Sequence, residues 1–324
     1  MIVAGYITAS TVDLALVRRV KGGIQLYHHA TYDNREFPQL DSILKLYLKK
    51  IRSDVSHACL GIAGPIIDNE VTTTNLPWHI SARDIESGFG ISSVKLMNDL
   101  VATAHGLFQL PADKLIRLNI GHQIQDGNIG LLAAGNGLGE SLIYCDRENH
   151  YPYASEGGHA DFAPSSQLET DLWEYLYAGK GQVEVEDVVS FSGINNIYEF
   201  LLNTSKAKPA VWHEKATDRP AKIIEMALAG KDDMAVKTLD IFTDCYASEA
   251  ANLALKGMTM GGVYLGGATT KQIMTAIDKA RFMERFVKKG KMQAFLDKVP
   301  VNLIIDEKTA LLGAAAVALE KAGA

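Results

Sequence analysis

Four side chains in this 324-residue sequence could do chemistry together: Asp99, Glu156, His159 and Glu186. Three carboxylates and an imidazole, joined by the amide of Asn98, suit a ligand rich in hydroxyl groups, because every hydroxyl both donates and accepts a hydrogen bond. Asn98-Asp99 follows the apolar stretch Val94–Met97. A carboxylate at the carboxyl end of a strand stands where ligands gather in open α/β sheets. Glu156 and His159 flank a glycine pair in Ser155-Glu156-Gly157-Gly158-His159, and Glu186 lies in Val183–Val189, ahead of Phe191-Ser192-Gly193. Taken singly, each has an ordinary use: Asp99 as a helix cap, Glu186 as a solvated charge, His159 as a satisfied structural histidine. Their occurrence together, in this order, points to a ligand.

The glycine-rich turns carry a second chemistry. A Walker A loop needs Gly-Lys followed by Ser or Thr, and Gly179-Lys180, Gly230-Lys231 and Gly290-Lys291 are followed by Gly, Asp and Met. A dinucleotide fingerprint needs G-x-G-x-x-G leading into a helix, whereas Gly135-Asn136-Gly137-Leu138-Gly139 has another spacing and leads into a strand. A strand–turn–strand unit of that kind can still turn backbone N–H groups onto a phosphate, or be an ordinary hairpin. Gly261-Gly262-Val263-Tyr264-Leu265-Gly266-Gly267 reads as a buried strand ending in a glycine pair before a helix capped by Thr269 or Thr270. Such an end lets a nucleotide lie against bare backbone beside the positive end of a helix dipole.

The elements that must hold these groups alternate. Ile2–Thr8, Val12–Val17 and Ile24–Ala30 read as an antiparallel start, and Leu40, Ile43, Leu44, Tyr47, Leu48 and Ile51 recur at helical spacing. Ser81 followed by Asp84 starts a second helix and Gly90 ends it; Leu100–Phe108 is a third. The same grammar returns in Ile129–Ala134, Ser141–Cys145, a helical middle with the long Asp232–Lys256, Gly262–Leu265, Val301–Ile305 and a closing helix Thr309–Lys321. Alternating β and α units imply helices on both faces of mixed sheets. Two small-residue hairpins at Thr8–Thr11 and Gly135–Gly139 occupy equivalent places and hint at a duplication. With 47% hydrophobic residues, 22% charged and a net charge of −6, the chain has no basic surface for nucleic acid or anionic membrane. Cys59, Cys145 and Cys245 lie far apart, without a C-x-x-C pair, and read as buried free thiols in a reducing cytoplasm. No apolar run is long enough for a membrane span.

Read together, these segments resemble the bacterial glucokinases of the hexokinase–actin superfamily of ATP-dependent sugar kinases. The resemblance is carried by Thr74-Asn75-Leu76-Pro77-Trp78, Asn98-Asp99-Leu100-Val101-Ala102, Ala134–Gly139, Ser155-Glu156-Gly157-Gly158-His159-Ala160-Asp161-Phe162-Ala163-Pro164, Gly262–Gly267 and Leu311-Leu312-Gly313-Ala314. No cysteine-rich zinc motif follows His159, which favours the zinc-free branch over the ROK kinases. The resemblance implies an α/β, two-domain actin-like ATPase (ribonuclease-H-like) fold with mixed sheets and an interdomain cleft. A small domain would take residues 1–106 plus 300–324, and a larger one 107–299. It further implies ATP with Mg²⁺, a cytoplasmic homodimer, and glucose or a related hexose bound through Asn75, Asn98, Asp99, Glu156, His159 and Glu186. Asp99 would be the general base for transfer to the 6-hydroxyl, and Thr8, Ser10, Thr11, Gly135, Asn136, Gly137, Gly266 and Gly267 would contact the nucleotide.

The family's first phosphate loop reads Gly-Asp-x-Gly-Gly-Thr-Asn; here the aligned residues are Gly5-Tyr6-Ile7-Thr8-Ala9-Ser10-Thr11. Tyr6 replaces the metal-organising carboxylate, so the protein ligands of any metal are not identified, and Asn136 replaces the second loop's Thr. Tyrosine cannot stand in as an anion at neutral pH. Two readings follow: a working glucokinase whose Thr8, Ser10, Thr11 and Asn136 meet phosphate, or a sugar-binding or sensor relative with impaired turnover. A third is a kinase for another hexose, such as mannose, glucosamine or N-acetylmannosamine.

Overall fold

Side-chain size divides the first sheet into two unlike faces. In β1 (Ile2–Ile7), Val3 and Ile7 join a cluster of large residues, while Ala4 and Tyr6 face the other way. In β2 (Thr11–Val20), Val12, Leu14 and Leu16 join the first cluster, and Ala15 and Val17 the second. Strict alternation along a strand makes this division automatic. The sheet continues with β3 (Gly23–Asp33), and after α1 (Leu40–Ile51) comes β4 (His57–Ile62). A small ribbon, β5 (Glu70–Thr72) with β6 (His79–Ser81), precedes α2 (Ala82–Phe89), β7 (Ser93–Asn98) and α3 (Asp99–Leu107). The five-stranded order is β3-β2-β1-β4-β7, with β1–β2 and β2–β3 antiparallel and β1, β4 and β7 parallel. Leu40, Ile43, Leu44 and Tyr47 of α1, with Ala82 and Ile85 of α2, cover the large-residue face.

The second sheet begins at β8 (Leu115–Asn119), β9 (Ile129–Ala134), β10 (Leu138–Cys145) and β11 (His150–Ser155). A helical stretch follows: α4 (Gln167–Lys180), α5 (Phe191–Ser205), α6 (Val211–Lys215), α7 (Arg219–Leu228) and the 25-residue α8 (Asp233–Gly257). Then come β12 (Gly262–Gly266), α9 (Ala268–Met274), α10 (Lys279–Val287), α11 (Gln293–Leu296) and β13 (Val301–Ile304). The strand order is β11-β10-β9-β12-β13-β8. Its first five strands repeat the order and directions of the first sheet, since β9–β10 and β10–β11 are antiparallel and β9, β12 and β13 parallel. β8 is added antiparallel at the edge. The repeat matches the duplication read from the two hairpins. β8 and β11 are absent from the sequence reading: β11 is largely exposed and interrupted by Pro152, so it lacks the apolar alternation that marks a strand.

The chain ends in α12 (Thr309–Lys321), which returns to the first sheet and shares its small-residue face with α3. The two helices meet backbone to backbone: a Cβ on Gly313 would lie 1.7 Å from the Ala102 carbonyl oxygen, and one on Gly106 1.9 Å from that of Thr309. The structure, a computed structural model, describes residues 1–73, 76–147, 149–206, 208–274 and 278–323. It comprises two compact units, Met1–Lys114 with Asp306–Ala324, and Leu115–Ile305.

Candidate active site

Asp99 and Asn98 divide the start of α3 between them. Asn98 holds extended backbone and is the cap: its Oδ1 accepts from Leu100 N at 2.9 Å and Val101 N at 3.3 Å. Its amide nitrogen donates to the Gly64 carbonyl at 3.3 Å. Asp99 is therefore the first helical residue, with Oδ1 3.0 Å from Leu100 N and its charge at the positive end of the helix dipole. The cap use open to Asp99 in the sequence falls mainly to its neighbour. Asn75, the remaining amide expected on the sugar, lies outside the described residues.

Tyr6 stands opposite Asp13 in the β1–β2 pairing. Burial first, then the charges of Asp99 and Asp13, raise its phenol well above the usual 10, so it stays a neutral hydroxyl. Asp13 is committed across the sheet, its Oδ1 2.6 Å from Thr31 Oγ1 and 2.9 Å from His29 Nε2. The adjoining hairpin closes on itself. Thr8 Oγ1 accepts from Thr11 N at 2.9 Å and Ser10 N at 3.2 Å, and Thr8 N donates to the Thr11 carbonyl at 2.8 Å. Asn34 Nδ2 braces the Thr8 carbonyl at 2.9 Å. The donors that two glycines would turn outward here meet a threonine hydroxyl instead.

In the second unit the corresponding hairpin is tied to an acid. Gly135 N donates to the Gly137 carbonyl at 2.8 Å, and Asn136 is exposed at the tip. Glu186 Oε2 accepts from Leu138 N at 2.8 Å, occupying the space that a Cβ on Gly137 would enter. Gly137 is thus glycine because the carboxylate closes over it. Glu186 sits in the single 3₁₀ turn Val185–Asp187. At the start of α9, Gly267 takes φ +93°, and a Cβ there would lie 2.3 Å from the Ala134 carbonyl oxygen. Thr269 and Thr270 lie inside α9 and do not cap it. Their hydroxyls donate to the carbonyls of Gly135, at 3.1 Å, and Ala134, at 3.4 Å, fastening helix to hairpin.

Glu156 heads the 3₁₀ turn Gly157–His159, which makes a half-exposed imidazole part of an acidic cluster. Its Nδ1 lies 2.7 Å from Glu184 Oε2, and its Nε2 4.0 Å from Glu156 Oε2. The hydrogen bond to Glu184 raises the pKa of His159 most, with the charges of Glu186, Glu184 and Glu156 adding to it. Beneath the turn, Glu140 of β10 is 2% exposed, with one oxygen where a Cβ on Gly157 would fall. Burial, then the charge of Glu249 on α8, pushes its carboxyl from the usual 4.5 up to about 7.

Within its own unit the structure brings Glu156, His159 and Glu186 together, adds two carboxylates that the sequence reading omits, and gives Thr269 and Thr270 a different use. Glu184 stands two residues before Glu186, a spacing that could have flagged it. Glu140 lies in an apolar strand, where a lone acid is itself a signal. Thr269 and Thr270 gave a signal that was assigned to capping. Among the described residues no three His, Cys, Asp or Glu side chains gather to hold a metal ion, and no helix is long and apolar enough to cross a membrane.

The family model for glucokinase matches residues 3–321. A curated glucokinase of Nostoc punctiforme is 33% identical over 333 residues, covering 97% of this chain and 98% of the relative. Among solved structures, the glucokinase of an Antarctic psychrotroph matches with a TM-score of 0.86 at 27% identity, covering 98% of each chain. That of Balamuthia mandrillaris, solved in complex with glucose, matches with a TM-score of 0.81 at 21% identity, covering 98% of this chain and 92% of the other. These likenesses give the fold as the actin-like ATPase fold of the sugar kinases.

Proposed function

This chain belongs to the glucokinase family, and from that premise we infer that Asp99 is the general base of an ATP-dependent phosphorylation of glucose. The 6-hydroxyl oxygen attacks the γ-phosphorus of ATP, Asp99 takes the hydroxyl proton, and the bond to the β,γ-bridging oxygen breaks to release ADP. Phosphoryl transfer asks mainly for positioning and charge stabilisation, so one oriented carboxylate suffices on the acceptor side. Asn75, Asn98, Glu156, His159 and Glu186 hold the hexose. Gly135, Asn136, Gly137, Gly266, Gly267 and the hydroxyls of Thr8, Ser10 and Thr11 meet the nucleotide.

One observation carries this reading: Glu186 accepts from Leu138 N and so seats a hexose-binding carboxylate directly on the Gly135–Gly137 hairpin. Sugar and phosphate groups must be adjacent for transfer, and this bond supports the reading by joining a proposed sugar ligand to the proposed phosphate hairpin. Mg²⁺ enters as part of the MgATP substrate. Tyr6 stands in place of a carboxylate, and among the described residues no three metal-binding side chains gather to hold it. The reading extends to a cytoplasmic homodimer, in keeping with the three buried free thiols.

A second reading, sugar binding without turnover, is favoured by the closed turn at Thr8–Thr11, where the N–H groups of Ser10 and Thr11 already donate to Thr8 Oγ1. Glucose calorimetry beside ATP-dependent glucose 6-phosphate production separates the two. The wild type turns over, and Asp99→Asn lowers kcat by about 10²–10⁴-fold while glucose binding stays within a few-fold. Full turnover in Asp99→Asn removes Asp99 as the base, and binding without turnover in the wild type establishes the second reading. A panel with mannose, glucosamine and N-acetylmannosamine fixes the hexose.

A further inference from the structure

We propose that Glu184 is a positioning residue for the reaction: by accepting from His159 Nδ1 it fixes the orientation of the ring, so that Nε2 is the nitrogen offered to a sugar hydroxyl beside Glu156. The proposal rests on the reading of His159 as a hexose ligand and adds a residue that touches no substrate.

The geometry is specific. A carboxylate can only accept, so the contact of 2.7 Å requires the proton on Nδ1, and its length is that of a charge-assisted bond. The two side chains are carried on segments that are zipped together: Phe162 N donates to the Val183 carbonyl at 2.9 Å, and Val185 N to the Ala160 carbonyl at 2.9 Å. The turn under Glu184 is closed as well. Its own N–H donates to Asp187 Oδ2 at 3.0 Å, and Asp187 is held in turn by Lys180. Glu184 thus reaches His159 from a fixed backbone, which is what a second-tier support requires.

The other face of the ring is built for a ligand. Nε2 and Glu156 Oε2 are 4.0 Å apart, too far for a direct hydrogen bond. One hydroxyl oxygen can stand about 2.8 Å from both, accepting from Nε2–H and donating to the carboxylate. That exchange works only if Nε2 carries a proton while Nδ1 is also protonated, which is the imidazolium. The charges facing the ring are Glu184, Glu186 and Glu156, all anionic, and all favour that form. Removing Glu184 would free the ring to rotate and would lower the fraction carrying a proton on both nitrogens.

The test uses the intact enzyme without sugar and with it. Histidine ring nitrogen resonances report tautomer and titration midpoint, with His159→Ala providing the assignment. Glucose kinetics are recorded from pH 6 to 8.5. In Glu184→Gln, which keeps the shape and an acceptor oxygen, the His159 midpoint falls by about 0.5 or more. The glucose KM rises about 3- to 10-fold at pH 8, less at pH 6.5, with kcat within about twofold. Glu184→Ala shows a larger KM and a ring exchanging between tautomers, and Glu184→Asp recovers part of both. An unchanged midpoint and tautomer in folded Glu184→Ala overturns the proposal while leaving His159 as a ligand, because His159→Ala still raises KM. A shifted midpoint in Glu184→Gln with no KM effect in His159→Ala overturns it from the other side, by removing His159 from the sugar site.

Discussion

Replacing Glu140 by glutamine should stabilise the protein at alkaline pH and have little effect in acid. Glu140 is buried in β10 with one oxygen unpartnered, and the charge that acts on it most, Glu249 of α8, is 6% exposed. The site is only partly neutralised: Lys256 Nζ lies 3.6 Å from Glu249 Oε1, while Lys289 is spent on Ser248 and Asn252. Burial and the Glu249 charge push the Glu140 carboxyl from 4.5 to about 7 in the folded protein. The folded state therefore binds the proton more tightly than the unfolded chain. The stability this contributes is complete below about pH 4.5 and is lost as pH rises through 7. The displacement corresponds to about 3 kcal/mol. Glutamine has the same shape and no charge to desolvate, so its advantage over the wild type should grow from near zero at pH 5 to about 2–3 kcal/mol at pH 8. Thermal and urea unfolding of both proteins at pH 5, 6, 7 and 8 measures it, with a melting difference of roughly 5 °C expected at pH 8. A difference that does not change with pH would refute the reasoning, since only a titrating group can produce the slope. Because Gly157 rests on this carboxylate, the glucose KM of the wild type should rise over the same interval more than that of the variant.

Two further substitutions probe the first unit. Tyr6→Asp places a third carboxylate beside Asp99 and Asp13 and should lower stability by about 2–5 kcal/mol at neutral pH, read as a fall in Tm; an unchanged Tm would show that position 6 is better solvated than its raised phenol pKa implies. Gly313→Ala drives a methyl into the Ala102 carbonyl and should cost about 2–3 kcal/mol and lower kcat more than it raises the glucose KM, because α3 carries Asp99; wild-type values in both assays would refute the coupling.

Most of the architecture was legible because periodicity and end signals agreed. α1 was bounded by its apolar spacing and α2 by Ser81 and Gly90, and α8 was read over Asp232–Lys256 against an observed Asp233–Gly257. β8 and β11 were not, because an edge strand has one wet side and needs no alternation to form. In the candidate site, Glu156 and His159 were legible beside Gly157-Gly158, and Glu186 from its occurrence with them and Asp99 in order. Glu184 and Glu140 carry weak signals, a two-residue spacing and a lone acid in an apolar strand, but their partners depend on which backbone lies alongside, something residue types alone do not convey. The closed Thr8–Thr11 turn was unreadable for a similar reason. A threonine hydroxyl can face a ligand or bend back onto its own chain, and only the bend settles which.

The joint of α3 and α12 has a consequence for how the enzyme comes into being. Everything from residue 115 to 305 intervenes between the sheet that α12 covers and α12 itself. On the ribosome, the stripe of Ala102 and Gly106 stays bare until α12 has emerged, and Asp99, at the start of α3, rides on a helix without its packing partner until then. A chain halted near residue 305 would present that stripe to proteases and chaperones, so α3 gains its packing partner only after the whole of the second unit has been made.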